Sequence, residues 1–114
     1  MMEDALRKAG FSGVETVAGV IYARTDPTLP EFTATPAGQG WQLALAWPLR
    51  ATEAQIAAWT ALHPDAPMDI HQGETRITVQ VPPTPLSRWA ELVQDMVAHC
   101  TDWRRSTRQR DEGM

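Results

Sequence analysis

Residues 41–49 alternate between large apolar side chains at the odd positions and small or polar side chains at the even positions. Successive side chains of a β-strand point to opposite faces, so this pattern predicts a strand in a sheet with one heavily built face and one lightly built face. A helical period begins directly afterwards, at Thr52. The chain is therefore expected to combine a sheet with helices.

Four more strands are predicted at residues 14–24, 31–35, 68–71 and 74–81, which are rich in β-branched or alternating apolar residues. Gln72-Gly73 between the last two is a plausible two-residue hairpin turn. Residues 2–9 resemble a short helix that stops at Gly10.

Two longer helices have recognisable start signals. Thr52 can cap the middle helix, and Gln55 can return the bond as a capping box. Thr84 and Pro85 suit the N-cap and first position of the last helix. That helix carries a stripe of apolar residues at helical spacing, which predicts a lid over the apolar sheet face: Leu86, Trp89, Val93, Met96, Cys100 and Trp103.

The predicted fold is thus α+β with the order α-β-β-β-α-β-β-α. Its antiparallel sheet has one face covered by a long C-terminal helix. Residues 1–103 are expected to form a single domain, and residues 104–114 an arginine-rich tail that frays.

Charge and cysteine content restrict the partners. Residues 1–103 hold six basic and twelve acidic side chains, a balance that repels nucleic acid. Cys100 is the only cysteine, which suits a reducing compartment. The sequence has neither a signal-peptide core nor an apolar run of the roughly 18 residues that a membrane helix needs. A soluble cytoplasmic protein without membrane association is expected, and the low Lys and high Ala and Arg content suggests a GC-rich bacterial genome.

No catalytic or metal-binding pattern stands out. The neighbours His99 and Cys100 point about 100° apart on a helix and cannot easily chelate one ion. Cys100 lies on the apolar stripe, where it is expected to act as a small buried hydrophobe. We therefore expect a protein that is not an enzyme and binds no metal or cofactor.

Two features allow a structural and a functional interpretation. The arginines of the tail either complement the end of a helix or grip an acidic partner or a phosphate backbone. The middle helix has apolar residues on more than one side. It is therefore either buried in the core of its own subunit or partly in contact with a second subunit.

The element order resembles the type III secretion chaperone-like fold, shared by the small acidic class I secretion chaperones and the YbjN family of bacterial proteins. Trp59 in the middle helix precedes a strand, a tight hairpin and a second strand, as an aromatic residue does in that fold. The last helix ends near Trp103, where members carry a bulky residue packed on the sheet. The loop containing Pro27 and Pro30 departs from the pattern.

The resemblance implies a homodimer that holds a segment of a client protein, without catalysis. It places the subunit interface on the middle helix, at Ile56, Trp59 and Leu62, and makes Leu6 and Phe11 candidates for the client surface. The alternative is a small-molecule-binding or enzymatic domain with a pocket between sheet and long helix. That alternative is motivated by the lightly built sheet face, where four small or polar side chains leave room: Ala44, Ala46, Thr78 and Gln80.

Overall fold

The computed structural model describes the backbone of residues 2–112 and the side chains of residues 2–106. Within this part of the chain, three helices and six strands follow one another as α1 (Met2–Lys8), β1 (Ser12–Val17), β2 (Val20–Arg24), β3 (Phe32–Ala37), β4 (Gly40–Trp47), α2 (Glu53–Leu62), β5 (Met68–His71), β6 (Glu74–Val81) and α3 (Leu86–Glu112). The strands form one antiparallel sheet in the order β1-β2-β3-β4-β6-β5. The α+β class, the antiparallel sheet and the long C-terminal helix are confirmed.

The first predicted strand, residues 14–24, is in fact a hairpin of two strands. Its turn is Ala18-Gly19, with φ of 51° and 81°. Two-residue hairpin turns need positive φ at both central residues, and Asn or Asp is far commoner than Ala at the first. The turn therefore carried no clear sequence signal, and Gly19 could be mistaken for a bulge within one strand.

The two faces of the sheet differ as the alternation predicts. Leu43 and Leu45 of β4 are fully buried, whereas Ala46 is exposed. Residues paired across the ladder share a face, so Val79 lies beside Leu43 on the heavy face and Thr78 lies beside Ala44 on the light face.

All three helices pack on the heavy face, because each contributes to the same buried cluster as the odd-numbered residues of β4. Phe32 of β3 contacts the rings of Phe11 and Trp89 at centroid distances of 5.8 and 5.4 Å. The α3 stripe is buried at its centre, but Leu86 and Trp103 are only partly buried and Leu92 is an additional fully buried member. None of the three described helices covers the light face.

The connection from β4 to α2 is fixed by hydrogen bonds. The buried Thr75 hydroxyl accepts from the Ala51 N–H at 2.9 Å and donates to the Leu49 carbonyl. The predicted capping box follows immediately after Ala51. The Gln55 N–H donates to Thr52 Oγ1 at 3.1 Å, and the Thr52 N–H donates to Gln55 Oε1 at 2.9 Å. Together these bonds set where α2 begins and how it lies on the sheet.

The remaining turn and helix signals agree with the structure to within a residue. Gln72 and Gly73 both have positive φ, as a tight hairpin turn requires. Helix α3 begins at Leu86 and continues without a break past residue 103. The fraying of the tail stays a prediction.

Candidate functional site

Most of the exposed side of α2 is apolar, and its exposed polar side chains, Glu53 and Thr60, lie together at one edge. Glu53, at the first position, is the only charged residue of the helix. At 100° per residue, five exposed side chains fall within a sector of about 140°, and we call them the α2 apolar face: Ala54, Ala57, Ala58, Ala61 and Leu62. Leu62 is 60% exposed, and among the described residues only Val17 is a comparably exposed large hydrophobic side chain.

Trp59 lies on the opposite, inward side of α2. It is fully buried, and its indole N–H donates to the Ala66 carbonyl at 2.8 Å. Its ring contacts the imidazoles of His63 and His99, with centroids 4.3 and 5.6 Å away. Trp59 therefore anchors α2 to α3 and has no surface left for a second subunit. Of the three predicted interface residues, Ile56 is partly buried and Leu62 alone is well exposed.

A polar network ties the end of α2 and the loop after it to α3. Arg88 on α3 makes two bonds to the carboxylate of Asp65, at 2.9 and 3.1 Å, and places a guanidinium nitrogen 3.0 Å from His63 Nδ1. His63 Nε2 lies 3.1 Å from Asp95. The hydrogen bonds from Arg88 hold the pKa of the Asp65 carboxyl below its usual range.

The tautomer of His63 follows from these partners. An arginine can only donate, so Nδ1 must carry a lone pair, and the proton must sit on Nε2 and face Asp95. Both ring nitrogens are thus occupied in this arrangement, and neither offers a free lone pair to a substrate. The network is suited to holding α2 in place, because it links three segments of the chain through charged hydrogen bonds.

The predicted client residues are also inside the molecule. Leu6 is fully buried and Phe11 is 8% exposed. Both side chains belong to the core beneath α1 and β1, so neither presents a surface to a client in this conformation.

Residues of the light face line two open grooves. One, with a volume of about 300 Å³, is lined by Ala44, Ala46 and polar neighbours that include Arg76. Arg76 is held by Asp69 through bonds of 3.2 and 2.9 Å. The other, of about 380 Å³, is lined by Thr78, Gln80 and residues from the neighbouring loops. The four light-face residues thus do line grooves; the second groove also includes Val79 from the heavy face and Asp65, which bonds to Arg88 of α3.

A third groove, of about 320 Å³, does lie between the sheet and α3, at the end of β4. Trp47 lines it from the strand, and Thr101, Arg104 and Arg105 line it from the helix. The indole nitrogen of Trp47 is shielded from solvent and has no hydrogen-bond partner.

The lone cysteine and the histidines do not form a metal site among the described residues. Cys100 is fully buried, and burial raises the pKa of its thiol to about 11. His99 instead stacks on Trp103, with ring centroids 5.7 Å apart. In the part of the chain that the structure describes, no three histidine, cysteine, aspartate or glutamate side chains converge in a way that could hold a metal ion.

Comparison of the chain with protein-family models, with curated proteins and with solved structures found no match. Within residues 2–112, none of the helices combines the length and the apolar character that crossing a membrane requires.

Sequence reasoning missed both the His63 network and the groove beside Trp47. A partial signal for the first exists, because Arg88, Asp95 and His99 are spaced by seven and four residues and so share one side of α3. The partners from the loop after α2 could not be assigned to that side without the fold.

Proposed function

We propose that this chain is a non-enzymatic, homodimeric binding protein of chaperone or adaptor type, acting in the cytoplasm. The observation that carries the proposal is the α2 apolar face, an uncharged helix surface on a chain of net charge −4. In the proposed dimer this face contacts its copy in a second subunit.

The acidic character of the chain favours a second copy of the same protein as the partner of the α2 apolar face. Two molecules of the same acidic protein repel one another over most of their surfaces, and the repulsion is smallest where no charge is present. A two-fold axis brings the same patch of both subunits together, so a patch that is apolar throughout is complementary to itself. The small side chains of four alanines would allow the two helices to approach closely.

Area limits the strength of this contact. A ten-residue helix is ~15 Å long and ~10 Å wide, whereas a standard interface buries about 800 Å² on each partner. The α2 apolar face supplies only part of that area. We therefore expect a dimer with a dissociation constant on the order of micromolar, supported by contacts beside α2.

The two edges of the sheet support a role in holding an extended client segment. Within the described residues, β1 and β5 are the edge strands of the sheet, so the outer edge of each can pair with an added chain. Val17 on β1 is 51% exposed and would contribute an apolar contact there. Such binding needs main-chain hydrogen bonds and no catalytic group.

The test is a pair of single substitutions. Leu62→Glu places a charge at the most exposed large side chain of the α2 apolar face. Val17→Glu is the control and makes the same type of change on the edge strand β1. In sedimentation equilibrium, wild type and Val17→Glu should dimerise with increasing concentration, and Leu62→Glu should stay monomeric. Circular dichroism should show the same secondary structure for all three proteins.

A wild-type protein that remains monomeric at about 100 μM, well above the expected dissociation constant, would refute the dimer. Equal dimerisation of Leu62→Glu and wild type would refute the assignment of the interface to α2.

A further inference from the structure

The groove between the end of β4 and α3 is lined by side chains that can all donate hydrogen bonds. Thr101 provides a hydroxyl and Arg104 and Arg105 two guanidinium groups, whereas Trp47 contributes its ring, with an indole N–H that is shielded from solvent. Of these four, only the threonine hydroxyl can also accept. The groove lining therefore offers many donors and almost no acceptors, which is the composition of a site for an anion.

No ion pair among the described residues neutralises the positive charge of the groove. Among the described side chains, neither Arg104 nor Arg105 forms an ion pair, although Asp102 lies two and three residues before them on the same helix. Arg104 donates one bond to the Pro48 carbonyl at 2.5 Å, which holds its guanidinium beside the end of β4. Its remaining donors and all those of Arg105 are free of described partners.

The position of these arginines on the helix is not explained by the helix dipole. That effect is confined to the last turn of a helix, and α3 continues to Glu112, about two turns beyond Arg105. The two charges lie where the helix passes over Trp47.

Trp47 lines the same groove from β4. Its indole nitrogen is shielded from solvent and has no hydrogen-bond partner among the described residues. The ring is therefore a reporter of ligand binding beside Arg104 and Arg105.

We propose that this groove binds a small oxyanion ligand, a molecule with a phosphate or carboxylate group. Arg104 and Arg105 bind the anionic group through charge-assisted hydrogen bonds, Thr101 adds its hydroxyl from the same helix, and the Trp47 ring packs beside the ligand from the strand. The cavity of about 320 Å³ admits a small metabolite and not a folded partner. The site lies apart from the α2 apolar face and does not depend on dimerisation.

The experiment follows the indole N–H resonances of the ¹⁵N-labelled protein during titration with inorganic phosphate and, separately, with succinate. Sodium chloride at matched ionic strength is the reference, and a Trp47→Phe variant identifies the Trp47 signal. We expect a saturable shift of that signal with one or both anions and none with chloride. A larger effect of phosphate would identify a phosphate-bearing ligand, and a larger effect of succinate a carboxylate-bearing one.

Arg105→Gln is the variant that tests the assignment, because Arg105 has no described intramolecular partner whose loss would disturb the fold. It should weaken anion binding about tenfold, as expected for a hydrogen bond to a charged group. Arg7→Gln on α1 removes the same charge from another surface and should leave binding unchanged.

The proposal is overturned if neither anion shifts the Trp47 signal beyond the chloride reference, or if Arg105→Gln and Arg7→Gln bind alike. Binding of single-stranded DNA in the absence of any response to the small anions would also overturn it, in favour of a nucleic-acid surface.

Discussion

Thr75 provides the sharpest test of how the fold positions α2. Its hydroxyl accepts the Ala51 N–H and donates to the Leu49 carbonyl, and the side chain is fully buried. Thr75→Val keeps the shape of the side chain and removes both bonds. The Leu49 carbonyl retains the Thr75 backbone N–H at 2.9 Å, so the main cost is the Ala51 N–H, which is left without its acceptor.

An orphaned buried donor costs about 1–3 kcal/mol. We therefore expect Thr75→Val to lower the free energy of unfolding by about 2 kcal/mol. For a domain of 114 residues, this corresponds to a fall in Tm of about 8 °C and a shift of the urea midpoint by about 1 M.

The matched control lies on the same strand. Thr78 is on the light face and only partly buried, and no hydrogen bond of its hydroxyl is present among the described contacts. Thr78→Val makes the same chemical change and should alter stability by less than about 0.5 kcal/mol. Equilibrium urea unfolding followed by tryptophan fluorescence measures both variants.

Equal effects of the two substitutions would refute this explanation, because the loss of stability would then reflect threonine-to-valine exchange in a strand and not the loss of the Thr75 hydroxyl hydrogen bonds. A Thr75→Val protein as stable as wild type would refute the hydrogen-bond arrangement itself.

Two further measurements concern ionisable groups. Asp65→Asn should cost at most about 1 kcal/mol at neutral pH, because its ion pair with Arg88 is partly exposed. Arg88 lowers the pKa of Asp65 in the folded state. The contribution of this ion pair to the free energy of unfolding is therefore present at neutral pH and is lost as the pH falls below about 4. Urea midpoints of variant and wild type that fail to converge in acid would contradict this prediction. Burial raises the pKa of the Cys100 thiol to about 11. At pH 8, iodoacetamide should therefore modify Cys100 in urea-unfolded protein and leave it largely unmodified in folded protein, as measured by mass spectrometry. Rapid labelling of the folded protein would contradict the burial of Cys100.

Several parts of the fold were accessible from local patterns. The alternation in residues 41–49 identified the two faces of the sheet, and Thr52 with Gln55 located the start of α2. Gln72-Gly73 identified the last hairpin. Each of these signals acts over fewer than about ten residues and reflects the geometry of a strand, a cap or a turn.

The candidate site was less accessible. Helical spacing placed Trp59 and Leu62 near one another, but the pattern could not say which of them faces the core. The answer depends on His63 and His99, which pack around the Trp59 ring from the end of α2 and from α3. For a helix with apolar residues on most of its surface, the neighbours and not the helix decide which side is buried.

The sequence by itself determined most elements of this protein, although not the division of residues 14–24 into β1 and β2: it showed where strands alternate, where α2 begins, and that α3 carries an apolar stripe. The tertiary structure alone decided which side chains meet. Trp47 and Arg105 are far apart in the chain and line one groove, and Asp65 and Arg88 join two segments in one ion pair. Local patterns report backbone geometry over a few residues, whereas such meetings depend on how the helices pack on the sheet.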